Sequence, residues 1–82
     1  MNRRRLEINF RSPAPSYLQL AGQLREMITT GEIGPDEALP SLKRMIQETG
    51  LAQSTVQKAV KRLIEEGLVV SVPGRGIYVS PP

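Results

Sequence analysis

Residues 39–67 constrain the fold most, because apolar side chains recur there at helical spacing on both sides of a glycine. The two apolar stripes comprise Leu42, Met45 and Ile46 before that glycine, and Val56, Ala59, Val60, Leu63 and Ile64 after it. Gly50 can adopt the left-handed conformation that ends a helix, and Leu51 can then enter the core. Two helices joined by so tight a turn predict a helix-turn-helix unit.

The second helix of this unit has a polar face without an acidic residue. Its hydrogen-bonding and cationic side chains are Gln53, Ser54, Gln57, Lys58 and Lys61, with Arg62 beside them. When the apolar stripe is buried, this face points outward and suits a duplex groove lined by base edges and phosphates.

The start of the second helix has two alternatives. Ala52 is a poor N-cap, whereas Ser54 followed by Gln57 matches a capping box and would start the helix two residues later. If Ser54 is the cap, Gln53 lies in the turn, and the groove-reading set narrows to Gln57, Lys58 and Lys61.

Another helix is predicted over residues 16–30, before the helix-turn-helix unit, and Gly31 ends it. Its apolar stripe comprises Tyr17, Leu20, Ala21, Leu24, Met27 and Ile28. Tyr17 either packs in the core or carries its hydroxyl to a partner at the rim. Further on, Ser41 is predicted to cap the first helix of the unit, although Arg44 stands where a capping box has Glu or Gln.

After Gly67 the pattern changes to β-branched runs over residues 68–72 and 77–79. The intervening Pro73-Gly74-Arg75-Gly76 predicts a two-stranded hairpin with a glycine-rich tip, which we call the wing. Arg75 either enters a narrow, electronegative minor groove or is a solvent-exposed turn residue. Beside a helix-turn-helix unit, we favour the groove role.

The first 14 residues form a basic arm that begins with Arg3-Arg4-Arg5. Leu6, Ile8 and Phe10 then alternate with polar residues, which fits a short strand or an extended arm laying one apolar edge on the body. The arginines either reach phosphates or an adjacent minor groove, or only add solubility.

Composition narrows the function classes. The 82 residues suffice for one small domain. Cysteine and histidine are absent, which removes disulfides, most metal ligands and the commonest general base, so we expect no cofactor, no metal site and no enzyme. Neither a membrane span nor a signal peptide is recognisable, and we expect a cytoplasmic protein.

The net charge of +3 is unevenly distributed along the chain. Residues 1–25 carry five bases and one acid, residues 26–40 four acids and no base, and residues 41–82 six bases and three acids. This order predicts a cationic face and an acidic back, the alternative being a mixed solvated surface.

From Pro15 to Val79 the chain resembles the DNA-binding domain of the GntR family of bacterial transcription regulators. The motifs that carry the resemblance are Tyr17 with Gln19 and Leu20, Ile28 and Gly31, Gly34-Pro35, Leu39-Pro40-Ser41, Thr55-Val56 with Ala59, Leu63 with Glu66-Gly67-Leu68, and Gly74-Arg75-Gly76 with Val79. The leading Leu6–Phe10 segment and Leu42 look most like the YtrA-type branch. The resemblance implies a winged helix-turn-helix domain that binds double-stranded DNA as a regulator, with repression as the expected mode.

The sequence departs from this family at positions that typically hold arginines. Lys43, Gln53 and Gln57 stand just after the Leu-Pro-Ser motif, in the turn, and early on the second helix. Lysine keeps a phosphate contact without the planar fork, and glutamine fits adenine edges better than guanine. We therefore expect an operator less dependent on guanines.

Together these observations predict an α+β fold, mainly α: three helices, a C-terminal two-stranded wing, and a short N-terminal strand or extended arm. Residues 1–14 form the arm and residues 15–80 the winged domain. The candidate DNA-binding residues are Ser41, Lys43, Arg44, Gln53, Ser54, Thr55, Gln57, Lys58, Lys61, Gly74, Arg75 and Gly76.

The expected partner is an inverted-repeat operator bound by a homodimer, with no membrane and no small-molecule effector site in this chain. The alternatives are an accessory DNA-bending factor for recombination or plasmid maintenance, and a protein-interaction module. The operator, the genes controlled and whether the chain is a fragment stay open at this point.

Overall fold

The computed structural model describes residues 5–81, which form three helices followed by a two-stranded antiparallel sheet. The elements are α1 (Ser16–Thr29), α2 (Leu42–Thr49), α3 (Gln53–Glu65), β1 (Val69–Val72) and β2 (Gly76–Val79). This is the predicted winged helix-turn-helix fold. Arg3 and Arg4 of the basic arm lie outside the described residues. None of the helices in residues 5–81 combines the length and hydropathy needed to cross a membrane.

The core lies between α1 and α3, with α2 and the sheet closing its sides. The α1 stripe buries Leu20, Ala21, Leu24 and Met27, and the α3 stripe buries Val56, Ala59, Val60 and Leu63. The prediction that Ile64 belongs to the buried stripe is wrong, because its side chain is 39% exposed. Ile64 lies near the end of α3, next to the chain reversal at Gly67, where no element covers it.

The turn between α2 and α3 has the predicted form at Gly50, whose φ of 73° is left-handed and whose N–H donates to the Ile46 carbonyl. Ser41 caps α2 as expected, since its Oγ accepts a hydrogen bond from the Arg44 N–H at 3.1 Å. Buried Leu51 follows Gly50 and fixes where the chain re-enters a helix.

The alternative in which Ser54 caps α3 is wrong. The helix begins at Gln53, and the Ala52 carbonyl accepts hydrogen bonds from the N–H groups of Thr55 and Val56, both at 3.1 Å. Among residues 5–81, no side chain caps this end of α3. Burial of Leu51 sets the start of the helix and overrides the better local capping signal at Ser54.

The wing pairs Val69 with Val79 and Val72 with Gly76, as the β-branched pattern predicts. The structure adds a contact that the pattern does not predict. Residues 36–39 run along the other edge of β2, where the Leu39 N–H donates to the Ile77 carbonyl at 2.8 Å. The Val79 N–H donates to the Glu37 carbonyl, also at 2.8 Å. Main-chain bonds on both edges therefore hold β2.

Within the described part of the N-terminal arm, residues 5–14, the chain is extended up to Asn9 but forms no strand, so the strand alternative is wrong. Its backbone pairs instead with two glutamine side chains of α1. Gln19 accepts from the Asn9 N–H at 2.9 Å and donates to the Asn9 carbonyl at 3.1 Å. Gln23 accepts from the Glu7 N–H at 3.0 Å and donates to the Glu7 carbonyl. We call these two side chains the glutamine clasp.

The spacing of the clasp explains why it fits. Four helical residues rise about 6 Å, and two extended residues advance about 6.6 Å, so Gln19 and Gln23 match Asn9 and Glu7. Leu6 then inserts into the core and Ile8 packs against it, whereas Phe10, expected on the same apolar edge, is 67% exposed. Phe10 is exposed because the chain turns there, with the Ser12 N–H donating to the Asn9 carbonyl.

Leu6→Ala should lower the free energy of unfolding by about 2–5 kcal/mol, since it empties a fully buried site. Phe10→Ala removes an even larger apolar side chain from the same arm, but from solvent, and should change stability by no more than about 0.5 kcal/mol. Urea denaturation followed by circular dichroism measures both. Equal losses for the two variants would show that the arm does not dock as described.

Candidate nucleic-acid interface

The first turn of α2 presents three of the predicted contact residues to solvent. Ser41, Lys43 and Arg44 are all exposed, and the Ser41 side chain is already engaged as the helix cap. Because the first N–H groups of a helix and its dipole favour anions, cationic residues at this position suit a phosphate.

The outer face of α3 carries the predicted polar set. Gln53, Ser54, Gln57, Lys58 and Lys61 are exposed and Thr55 is half-buried, while the residues between them fill the core. The helix therefore presents amides, a hydroxyl and two ammonium groups on the side away from α1. The acid-free surface ends at Glu65, which borders the same shallow depression as Lys61 and Arg62.

Lys58 has a partner that sequence spacing did not indicate. Its Nζ lies 4.2 Å from the centre of the Tyr17 ring, a cation–π contact between the start of α1 and α3. Tyr17 itself packs against the core, which confirms the first of the two roles predicted for it. The contact orients the ammonium group towards the N-terminal end of α1 and leaves it exposed.

The tip of the wing places Arg75 between two glycines with left-handed backbone. Gly74 has a φ of 75° and Gly76 a φ of 125°, conformations that suit glycine best. The Arg75 N–H donates to the Val72 carbonyl at 3.0 Å and closes the turn. The guanidinium is exposed and has no ion-pair partner within residues 5–81.

One groove joins three of these elements. Ser41 from the start of α2, Gln57 from α3 and Arg75 from the wing border a groove of about 430 Å³. We call it the central groove. The structure thus brings these three predicted residues and Gly76 together around one concavity, while Lys58 and Lys61 lie on the other flank of α3 beside Tyr17.

Glu48 is a residue of this region that sequence reasoning missed. Its Oε2 lies 2.6 Å from Arg44 Nε, and its Oε1 accepts from the Leu6 N–H at 3.0 Å. The hydrogen bond from Arg44 is the main reason that the pKa of Glu48 lies below its ordinary value, helped by the Leu6 N–H. The i,i+4 spacing of Arg44 and Glu48 is typical of a helical ion pair. No sequence pattern indicates the hydrogen bond between Glu48 and the Leu6 N–H.

Arg62, expected beside the cationic face, is held by Glu66. Arg62 Nε lies 3.3 Å from Glu66 Oε2, and Arg25 of α1 grips the same carboxylate in a bidentate pair at 2.7 and 2.8 Å. Arg25 lowers the pKa of Glu66, and Glu66 in turn raises the pKa of Arg25. The carboxylate thus joins α1 to the end of α3.

The two carboxylates predict a small loss of stability in acid. The pKa values of Glu48 and Glu66 lie below the ordinary value of 4.5, so the unfolded chain binds their protons first as pH falls. Their contribution to stability is complete above about pH 4.5 and is lost as pH falls through the folded pKa values.

We expect Glu48→Gln and Glu66→Gln to be less stable than the parent chain near pH 7 and to lose less stability between about pH 5 and about pH 3. Urea unfolding across this range measures the effect. Curves for the variants that run parallel to the parent curve would exclude the two ion pairs as the source of acid sensitivity.

Comparison with known proteins gives a consistent result. Residues 16–79 match the family described as bacterial regulatory proteins, gntR family. The chain is 40% identical over 77 residues to the HTH-type transcriptional repressor NagR of Bacillus subtilis, covering 94% of this chain and 32% of NagR. It is 35% identical over 75 residues to the repressor YtrA of the same species, covering 92% of this chain and 58% of YtrA.

Solved structures show the same architecture. The DNA-binding domain of AraR in complex with operator ORX1 superposes with a TM-score of 0.85 at 31% identity, covering 95% of this chain and 100% of that one. YtrA from Sulfolobus acidocaldarius superposes with a TM-score of 0.82 at 34% identity, covering 94% of this chain and 65% of that one. The likeness to YtrA proteins agrees with the predicted branch. The chain spans about a third of the length of NagR and a little over half of YtrA.

Proposed function

The chain belongs to the GntR family of bacterial regulatory proteins, and we propose that it binds an inverted-repeat operator as the DNA-reading part of a transcriptional repressor. Its winged helix-turn-helix is the DNA-binding domain of that family. The named relatives NagR and YtrA are repressors, which supports repression here. We place the protein in the bacterial cytoplasm, where such an operator is accessible, and assign it no enzymatic activity.

One observation supports this proposal most: α2, α3 and the wing each bring an exposed polar side chain, Ser41, Gln57 and Arg75, to the central groove, and no described carboxylate lines it. A duplex laid across this surface puts α3 in the major groove and the wing tip beside the minor groove. Ser41, Lys43 and Thr55 then face phosphates, while Gln53, Ser54 and Gln57 face base edges.

Arg44 joins the phosphate contacts in a constrained way. Its Nε is bonded to Glu48, which leaves the terminal amino groups of the guanidinium for a phosphate. Lys58 and Lys61 extend the cationic strip along α3, with Tyr17 holding Lys58 in place. Because these contacts release counterions from DNA, affinity should fall steeply as salt rises.

We also infer that two copies of the chain bind the operator together. A single winged domain presents only one α3 and one wing tip, so two copies on two half-sites supply the specificity that a regulator needs. The half-sites should have fewer guanines than those of arginine-bearing relatives, because glutamine at positions 53 and 57 pairs best with adenine.

Selection of bound fragments from a random duplex pool at about 150 mM salt tests the proposal, since nonspecific phosphate binding is weakened there. We expect an inverted repeat. Gln57→Arg should shift the selected half-site towards guanine, whereas Lys43→Arg, a substitution at a phosphate contact, should leave the sequence unchanged.

One result would contradict the proposed function, and another would contradict only the role of Gln57. Recovery of no sequence above background would favour a bending factor or a protein-interaction module. An unchanged half-site with Gln57→Arg would remove Gln57 from base reading while leaving the operator itself intact.

Neutralising the wing tip should weaken operator binding. Arg75→Ala is expected to cost about 1–3 kcal/mol, as for an arginine that enters a groove. Fluorescence anisotropy with the selected operator measures this loss. Arg62→Ala removes the same charge from a residue already paired with Glu66 and should cost less. Equal affinities for Arg75→Ala and the parent chain would show that Arg75 is a solvent-exposed turn residue that does not contact DNA.

A further inference from the structure

The central groove has an apolar floor that DNA contacts do not require. Leu39, Pro40, Met45 and Val60 line it and are buried, while Leu42 and Ile77 line it and are half-buried. Polar groups occur only at the rim, where Ser41, Gln57 and Arg75 stand. Such a rim is sufficient to bind a sugar–phosphate backbone, since phosphates bind hydrogen-bond donors and cations. The exposed parts of Leu42 and Ile77 therefore form an apolar surface that phosphates do not match.

The size and lining of the groove are those of a small-molecule site. Its volume of about 430 Å³ lies inside the usual range of ligand pockets. Such pockets are mainly apolar with a few polar groups that fix orientation, and here three side chains from three different elements take that place.

The charge of Arg75 indicates that a ligand of the groove should be an anion. Arg75 has no ion-pair partner among residues 5–81, unlike Arg25, Arg44 and Arg62, each of which binds a glutamate. Asp36 is the acid that shares a depression with Arg75, and it lies on the outer face of the wing with Val70 and Tyr78. The groove side of Arg75 is therefore open to an external anion.

We propose that the central groove binds a small monocarboxylate with an apolar body, the carboxylate pairing with Arg75 and the body lying over the half-buried Leu42 and Ile77. Gln57 and Ser41 can donate further hydrogen bonds to the carboxylate. This assigns a small-molecule site to a chain in which sequence reasoning expected none.

Occupation of the groove has a direct consequence for DNA, which rests on the function proposed above. The ligand would neutralise Arg75 and fill the space between Gln57 and the wing, so it would compete with the operator. Such regulation needs no communication between distant sites, because the ligand and the DNA share three residues.

Octanoate is a suitable probe, with octanamide as a neutral match for its shape. In protein free of DNA, titration with octanoate should shift the NMR signals of Leu39, Met45, Val60 and Ile77 along one saturable curve. Arg75→Gln should raise the Kd by about tenfold, the usual effect of losing one charge-assisted hydrogen bond. Lys61→Gln, which removes the same charge outside the groove, should leave the Kd unchanged, and octanamide should bind about tenfold more weakly than octanoate.

The ligand site is overturned if the shifts spread over the surface, if octanamide binds as well as octanoate, or if Arg75→Gln and Lys61→Gln have equal effects. Competition is then measured by anisotropy with the selected operator, where saturating octanoate should raise the Kd of the parent chain for DNA. An unchanged Kd for DNA would overturn the regulation. Saturable binding of octanoate in a chain that selects no operator would instead refute the proposed function and leave the ligand site standing.

Discussion

The packing of α3 on α1 determines the direction of the proposed DNA contacts on α3. Val56, Ala59, Val60 and Leu63 meet the buried stripe of α1, and this contact fixes the rotation of α3 about its own axis. Because successive helical residues are about 100° apart, burying that stripe forces the intervening glutamines and lysines outward. The same hydrophobic contact that stabilises the domain thus aligns the groups that we propose to read DNA.

Two carboxylates then decide which cations remain available to a phosphate or another anion. Glu66 forms ion pairs with Arg25 and Arg62 at the junction of α1 and α3. Glu48 forms an ion pair with Arg44 through the Nε atom of the arginine. Arg75 at the wing tip has no ion-pair partner among residues 5–81. Since exposed ion pairs add little stability each, their larger effect here is to position charges. Glu48 has an additional role, because it also bonds the arm through the Leu6 N–H.

Periodicity in the sequence was enough to predict the three helices, the tight turn at Gly50 and the hairpin. It was not enough where two distant segments meet. Gln19 and Gln23 look like ordinary surface residues of α1, and only the folded chain shows that they pair with the backbone of Glu7 and Asn9. The Arg25–Glu66 pair joins residues 41 positions apart, a distance at which spacing carries no information. Ser54 offered the better local cap, yet burial of Leu51 set the start of α3.

The position of Arg75 relative to α3 depends on the segment before α2. Residues 36–39 bond to β2 through Ile77 and Val79, and the same segment continues into Pro40 and the Ser41 cap. The wing and the first turn of α2 are therefore two ends of one hydrogen-bonded connection. The Leu39 backbone belongs to that ladder, while its side chain is buried in the core and, with Ile77, supplies part of the apolar floor. The relative position of Ser41 and Arg75 on the rim of the groove thus depends on the pairing of this loop with β2.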